Sequence, residues 1–295
     1  MNRILQSHIA IFAANLIFAA SYTIAKEVMP LYIEPLGFIL LRVSGAGILF
    51  FILYRSLNYE KIAKTDLLLL ALCGLFGVAI NQMLFFSGLN ITTPINAAII
   101  ITCNPVMVLL IASWLIKEVV TLKKSIGIAL GLAGAVLLIT TANGVSFSSG
   151  TFKGDILILL NATSYAVFLV IVKPLMLKYS PLTVITWVFL FGFVFVLPFG
   201  YHDLTLVEWT GIPLIIWGAI IFVVLFATFL AYLLNIFALK RLSPTVVSYY
   251  VYVQPVLASA VALSFGKDLL SPIKIIAASI IFMGVFLVSS RKKIP

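Results

Sequence analysis

Arg42 is the one ionisable side chain placed well inside an apolar stretch of this 295-residue chain. Counted from Pro35 at about 1.5 Å per helical residue, it lies about 10 Å below the start of its segment. A guanidinium at such depth is costly unless paired, and residues of this kind face a cavity or a bundle interior. Its planar fork matches a carboxylate. No Asp or Glu stands at mid-depth to answer it. Its partner is therefore Glu34 or another rim carboxylate, the carbonyls of a helix end, or an anionic group of a substrate. A structural role and contact with a substrate carboxylate both fit.

Uncharged polar side chains gather in the same apolar stretches: Asn15, Ser21 and Tyr22; Asn81 and Gln82; Asn96, Thr102 and Asn104. Later in the chain come Asn161, Ser164 and Tyr165, then Tyr232 and Asn235, then Ser248, Tyr249, Tyr252 and Gln254. In lipid every unsatisfied polar group is expensive, so these must face one another or water. The candidate substrate-binding set is Asn15, Tyr22, Arg42, Asn81, Asn104, Tyr165, Tyr232, Tyr252 and Gln254; bonding between helices without a cavity is the alternative. Pro105 and Pro255 fall mid-segment, where they free backbone carbonyls and act as hinges or as packing kinks. Glu118 and Asp268 stand beside Lys117 and Lys267, as helix-end ion pairs or as a gate latch. His8 and His202 are too far apart in the topology for a metal site, and no cofactor is expected.

The elements that position these residues are set by composition. Hydrophobic residues make up 63% and charged residues 9% of the chain, at a mean hydropathy of +1.23. A soluble domain carries about 25% charged residues, so lipid is the solvent for most of this chain. Ten apolar segments are expected near 7–26, 35–54, 67–87, 94–116, 123–141, 156–176, 181–199, 213–236, 244–265 and 272–290. The first has polar residues and no small-residue cleavage site behind it, so it reads as a retained span. Cys73 and Cys103 sit inside segments and read as small core fillers. The net charge of +10 distributes by side: 14 basic residues fall at the termini and in the 2–3, 4–5, 6–7 and 8–9 loops, against 4 on the other face. That bias places both termini in the cytoplasm and removes any need for a nucleic-acid partner.

The second half restates the first at an offset of 150 residues. Thr93-Pro94 is answered by Ser243-Pro244, Asn104-Pro105 by Gln254-Pro255, Lys117-Glu118 by Lys267-Asp268, and Gly134 by Gly284. The early part aligns at 146: Asn15 meets Asn161 and Pro35 meets Pro181. Five spans per copy force the second copy to enter from the opposite side, which gives an inverted repeat around a midplane site. The expected architecture is all-α, with repeats at 1–142 and 151–295 joined through the Gly/Ser/Asn stretch 141–150. Gly127, Gly131 and Gly134 put small residues on one face of span 5, for close packing within the chain or for a homodimer seam.

Asn96-Ala-Ala, Pro105, Leu115-Ile-Lys-Glu118, Lys124, Gly127, Gly131 and Gly134, with their second-copy echoes, resemble the EamA signature of the drug/metabolite transporter superfamily. Lys26 and Leu41-Arg42 match positions where that family carries Lys and Arg, and Asp268 stands where it usually has Glu. The resemblance implies ten helices around a central cavity and a small-metabolite, amino-acid or drug substrate. The residues themselves point to a secondary transporter, with a channel as alternative. There is no carboxylate pair, His cluster or P-loop to support an enzyme or an ATP-driven pump. The expected partners are the bilayer and a small molecule, the expected location the cell (inner) membrane, and the expected assembly a monomer or weak homodimer.

Overall fold

The computed structural model describes residues 3–57, 60–92, 97, 100–142, 152–257 and 272–289. They are helical nearly throughout, because apolar side chains leave the backbone no partner in lipid but itself. In chain order the helices are α1 (Arg3–Val28), α2 (Pro35–Leu57), α3 (Lys64–Ile91), α4 (Asn104–Leu115) and α5 (Leu122–Ala142). Then follow α6 (Phe152–Lys178), α7 (Pro181–Thr205), α8 (Leu214–Leu239), α9 (Pro244–Tyr249) and α10 (Pro272–Ser289). Six of these, α1, α2, α3, α6, α7 and α8, are long and apolar enough to cross a membrane. Asn104–Leu115 and Ile275–Val288 are shorter apolar helices. Residues 94–96 (with Asn96) and 98–99 of the expected span 4, 258–265 of span 9, the linker from 143, Lys267 and Asp268 lie outside the described residues.

Helix starts follow local chemistry. Pro35, Pro181, Pro244 and Pro272 occupy first turns, where the missing N–H costs nothing. Ser180 and Ser243 cap α7 and α9, each hydroxyl accepting from the backbone N–H three residues on. Two helices widen midway into π turns, α3 at Leu75–Ala79 and α8 at Val223–Leu230. Beyond α9 the chain tightens into a 3-10 turn, Tyr250–Val253. Pro105 occupies the first turn of α4, directly after the turn at Thr102–Cys103. Pro255 follows the 3-10 turn. The distortion thus precedes each proline, as its ring forbids an ordinary helix in the turn before it.

Packing runs in pairs and trios. α2 lies along α7 and α5 along α10; α3 and α4 pack on α6, and α1 packs on α8. The Gly127/Gly131/Gly134 face is filled from within the chain. A Cβ on Gly127 would meet the Gly284 carbonyl at 2.9 Å, and one on Gly134 the Ala277 carbonyl at 2.9 Å. One on Gly131 would strike Tyr249 and Tyr252. Where α2 meets α8, Gly45 takes the Val224 side chain; where α7 meets α3, Gly74 takes Phe191. Outside, large apolar side chains such as Leu214 (88% exposed), Trp114 (79%) and Phe286 (72%) form a surface suited to lipid.

One end of the bundle is knitted by polar contacts. Asp66 at the start of α3 accepts from Lys178 Nζ at 2.8 Å and the Tyr179 hydroxyl at 2.7 Å. Glu60 accepts from the Ser180 N–H at 2.9 Å and the Thr183 hydroxyl at 2.7 Å. Lys173 Nζ donates to the Leu239 and Leu242 carbonyls that end α8. Glu118 pairs with Lys124 at 2.9 Å rather than with the adjacent Lys117. Lys117 adopts a left-handed backbone (φ 53°) that closes α4 and lets the Glu118 N–H reach the Ala112 carbonyl.

Candidate functional site

A cavity with about 130 Å³ of free volume opens where α1, α2, α3, α4, α6, α8 and the α9 region converge. Asn15, Arg42, Asn81, Asn104, Tyr165, Tyr232 and Gln254, seven of the nine residues read as substrate-binding from the sequence, line it. Two do not join them. Tyr252 is fully buried against the Tyr249 ring (4.8 Å, edge-on) on the α5 side and does not line the cavity. The side chain of Tyr22 lies outside the described residues.

The lining is also what ties the helices together. Asn161 donates to the Asn81 carbonyl at 2.7 Å, Asn104 to the Ala162 carbonyl at 2.9 Å, and Gln254 to the Asn15 side-chain oxygen at 2.8 Å. Asn235 donates to the Tyr165 hydroxyl at 2.8 Å, and Gln82 to the Tyr232 hydroxyl at 3.4 Å. These bonds use the amide nitrogens. The amide oxygens of Gln82, Asn104 and Asn235 are buried without a partner, and each such acceptor costs about 1–3 kcal/mol unless something donates to it. Interhelical bonding and cavity lining are therefore both present in the same side chains.

Arg42 is 6% exposed. Its partner is neither Glu34 nor any other carboxylate: among the described residues no acidic group lies within ion-pair reach of it. Nε donates instead to the Thr228 hydroxyl at 3.0 Å. The guanidinium carbon stands 4.7 Å from the Phe86 ring centroid and 5.9 Å from that of Phe38, a cation–π setting that strengthens as water is excluded. Among the described residues the cavity is thus lined by one cation, by amide side chains and by aromatic walls at Phe18, Phe85 and Phe86. Such a lining can bind a compact molecule that carries an anionic group for Arg42 and polar groups for the amides.

Sequence reading passed over Thr228, Phe85 and Phe86. The aromatics carried a signal, standing four residues after Asn81 and Gln82 on the same helical face. Thr228 carried a subtler one: the residue 150 positions earlier is Val78, a polar-for-apolar exchange inside the repeat.

A family model described as the EamA-like transporter family matches residues 5–140 and again 152–290. The chain belongs to that family. It is 26% identical to the uncharacterized transporter YyaM of Bacillus subtilis over 99% of this chain and 96% of that protein. It is 25% identical to the uncharacterized inner membrane transporter YedA of Escherichia coli K12, over 96% and 90%. A probable terminal-alkyne amino-acid exporter of Streptantibioticus cattleyicolor is 23% identical over 86% and 84%. A solved crystal structure superposes with a TM-score of 0.78 over 96% of each chain at 17% identity, a likeness of fold alone. This EamA-family chain is a multi-pass membrane protein and a transporter.

Proposed function

We propose that the chain is a secondary transporter that exports a small carboxylate-bearing metabolite, of the size and kind of an amino acid, by alternating access. The observation that carries this reading is the cavity lined by Arg42 and by the amide side chains of Asn15, Asn81, Gln82, Asn104 and Gln254, with no acidic group within ion-pair reach of Arg42 among the described residues. The name of the Streptantibioticus relative, an amino-acid exporter, agrees in substrate class and direction.

In this reading ten spans form two inverted five-helix copies, 1–142 and 151–295, with both termini cytoplasmic in the cell (inner) membrane. Contacts that map onto one another under the repeat offset support it. Gln82 and Tyr232 touch and are 150 residues apart, as two equivalent residues on a two-fold axis would. Gly127 on Gly284 is answered by Ala277 on Gly134. Gly45 on Val224 is answered by Phe191 on Gly74, with small and large partners exchanged. The π turns of α3 and α8 stand at matching positions. Packing of this kind lets one group of helices rock against the other about a fixed midplane site. In this reading the knitted end formed by Asp66, Lys178 and Glu60 faces the cytoplasm. The test is a thermal-shift screen of amino acids and related acids on detergent-purified protein, since a ligand of the native state raises apparent stability. A carboxylate that stabilises wild type but not Arg42→Gln supports the reading; stabilisation that survives Arg42→Gln contradicts it.

A further inference from the structure

We propose that Thr228 is a positioning residue that orients Arg42, so that the guanidinium meets its ligand end-on through its two Nη groups. The proposal rests on the reading of Arg42 as the carboxylate contact. Thr228 has no exposed surface and sits in the π turn of α8. Its hydroxyl has one proton, and this is given to the Val223 carbonyl at 2.7 Å, five residues back, where the wide turn brings it into line. The oxygen can then only accept, and it accepts from Arg42 Nε at 3.0 Å. Guanidinium, hydroxyl and carbonyl form a chain with a single polarity, which strengthens each link in a low-dielectric interior.

The consequence falls on Arg42. An arginine can pair with a carboxylate along its Nε edge or at its Nη end. Thr228 occupies the first, and the Phe86 ring covers one face at 4.7 Å. The Nη end remains for the cavity that Arg42 lines, with its angle fixed before a ligand arrives. Such preorganisation raises affinity by removing the ordering cost from the binding step.

The repeat supplies an internal control. At the matching offsets Val188 stands for Arg42 and Val78 for Thr228, both fully buried. Val78 occupies a π turn of its own, Leu75–Ala79, without any hydroxyl. The turn therefore does not need the Thr228 side chain, and valine is an accommodated shape at that position of the bundle.

The experiment measures binding of the twenty L-amino acids and their carboxamides by thermal shift on wild type, Arg42→Gln, Thr228→Val and Thr228→Ser. At least one amino acid is expected to stabilise wild type while its carboxamide does not, and Arg42→Gln should abolish that shift. Thr228→Val should weaken the amino acid by about tenfold or more, the loss of a bond to a charged group, whereas Thr228→Ser retains it. If no amino acid shifts wild type, or if Arg42→Gln still binds, the carboxylate reading fails and the proposal with it. If Arg42→Gln abolishes binding while Thr228→Val binds as wild type does, the positioning role alone is overturned. If Thr228→Val fails to fold while Thr228→Ser folds, the hydroxyl is structural, and if both fail the side chain is needed for packing; either result overturns the proposal.

Discussion

Arg42 lines the cavity and Tyr252 does not, so the two should respond to mutation in opposite ways. Arg42→Gln should leave a folded, monodisperse protein that no longer binds its carboxylate ligand. Arg42→Lys should recover little, because an ammonium keeps the charge and loses the fork. Size-exclusion profiles and ligand thermal shifts of both variants check this, and a Tm drop of several degrees with ligand binding retained would assign Arg42 to structure. Tyr252 carries a buried hydroxyl with no partner. Tyr252→Phe removes that cost, so it should be neutral or stabilising by up to about 1–3 kcal/mol and should not change ligand binding. A loss of binding in Tyr252→Phe would return the residue to the site.

The elements explain which residues were legible in sequence and which were not. The apolar segments and the polar positions inside them needed only composition and spacing, so Asn15, Arg42, Asn81 and Asn104 could be read directly. Tyr252 could not, since its direction depends on the 3-10 turn at Tyr250–Val253. With about three residues per turn, Ser248, Val251 and Gln254 share the cavity face, while Tyr249 and Tyr252 share the face toward Gly131. Thr228 was hidden for a related reason: its partner lies 186 residues away, and its orientation depends on a π turn that no local pattern announces. The glycine stripe allowed two readings, and the structure takes one, filling it with α10, Tyr249 and Tyr252. Gly131→Leu should accordingly overpack this seam and cost about 1–3 kcal/mol or more, seen as a lower unfolding temperature in detergent. An unchanged unfolding temperature would mean that the seam is looser than described.

At the scale of the whole molecule, the proposed inverted repeat would fix sidedness. In that arrangement five spans separate Pro295 from the linker near Asn143, so reporter fusions at the two should lie on opposite faces of the membrane; the same side for both would break the five-plus-five reading. Coupling is also a property of the whole. The proposed ten spans hold no acidic residue at mid-depth in the sequence, so transport should follow the substrate gradient or couple through rim groups such as Glu34. Strong proton-driven accumulation that survives Glu34→Gln would contradict that.

Alternating access around the Arg42 cavity is most directly tested by counterflow in proteoliposomes. Vesicles loaded with unlabelled ligand from the amino-acid screen are diluted into a trace of labelled ligand, with no ion gradient imposed. A carrier that exposes one site to each side in turn should show transient accumulation of label in wild type and none in Arg42→Gln. Simple equilibration of label without overshoot, or overshoot that persists in Arg42→Gln, would contradict the account.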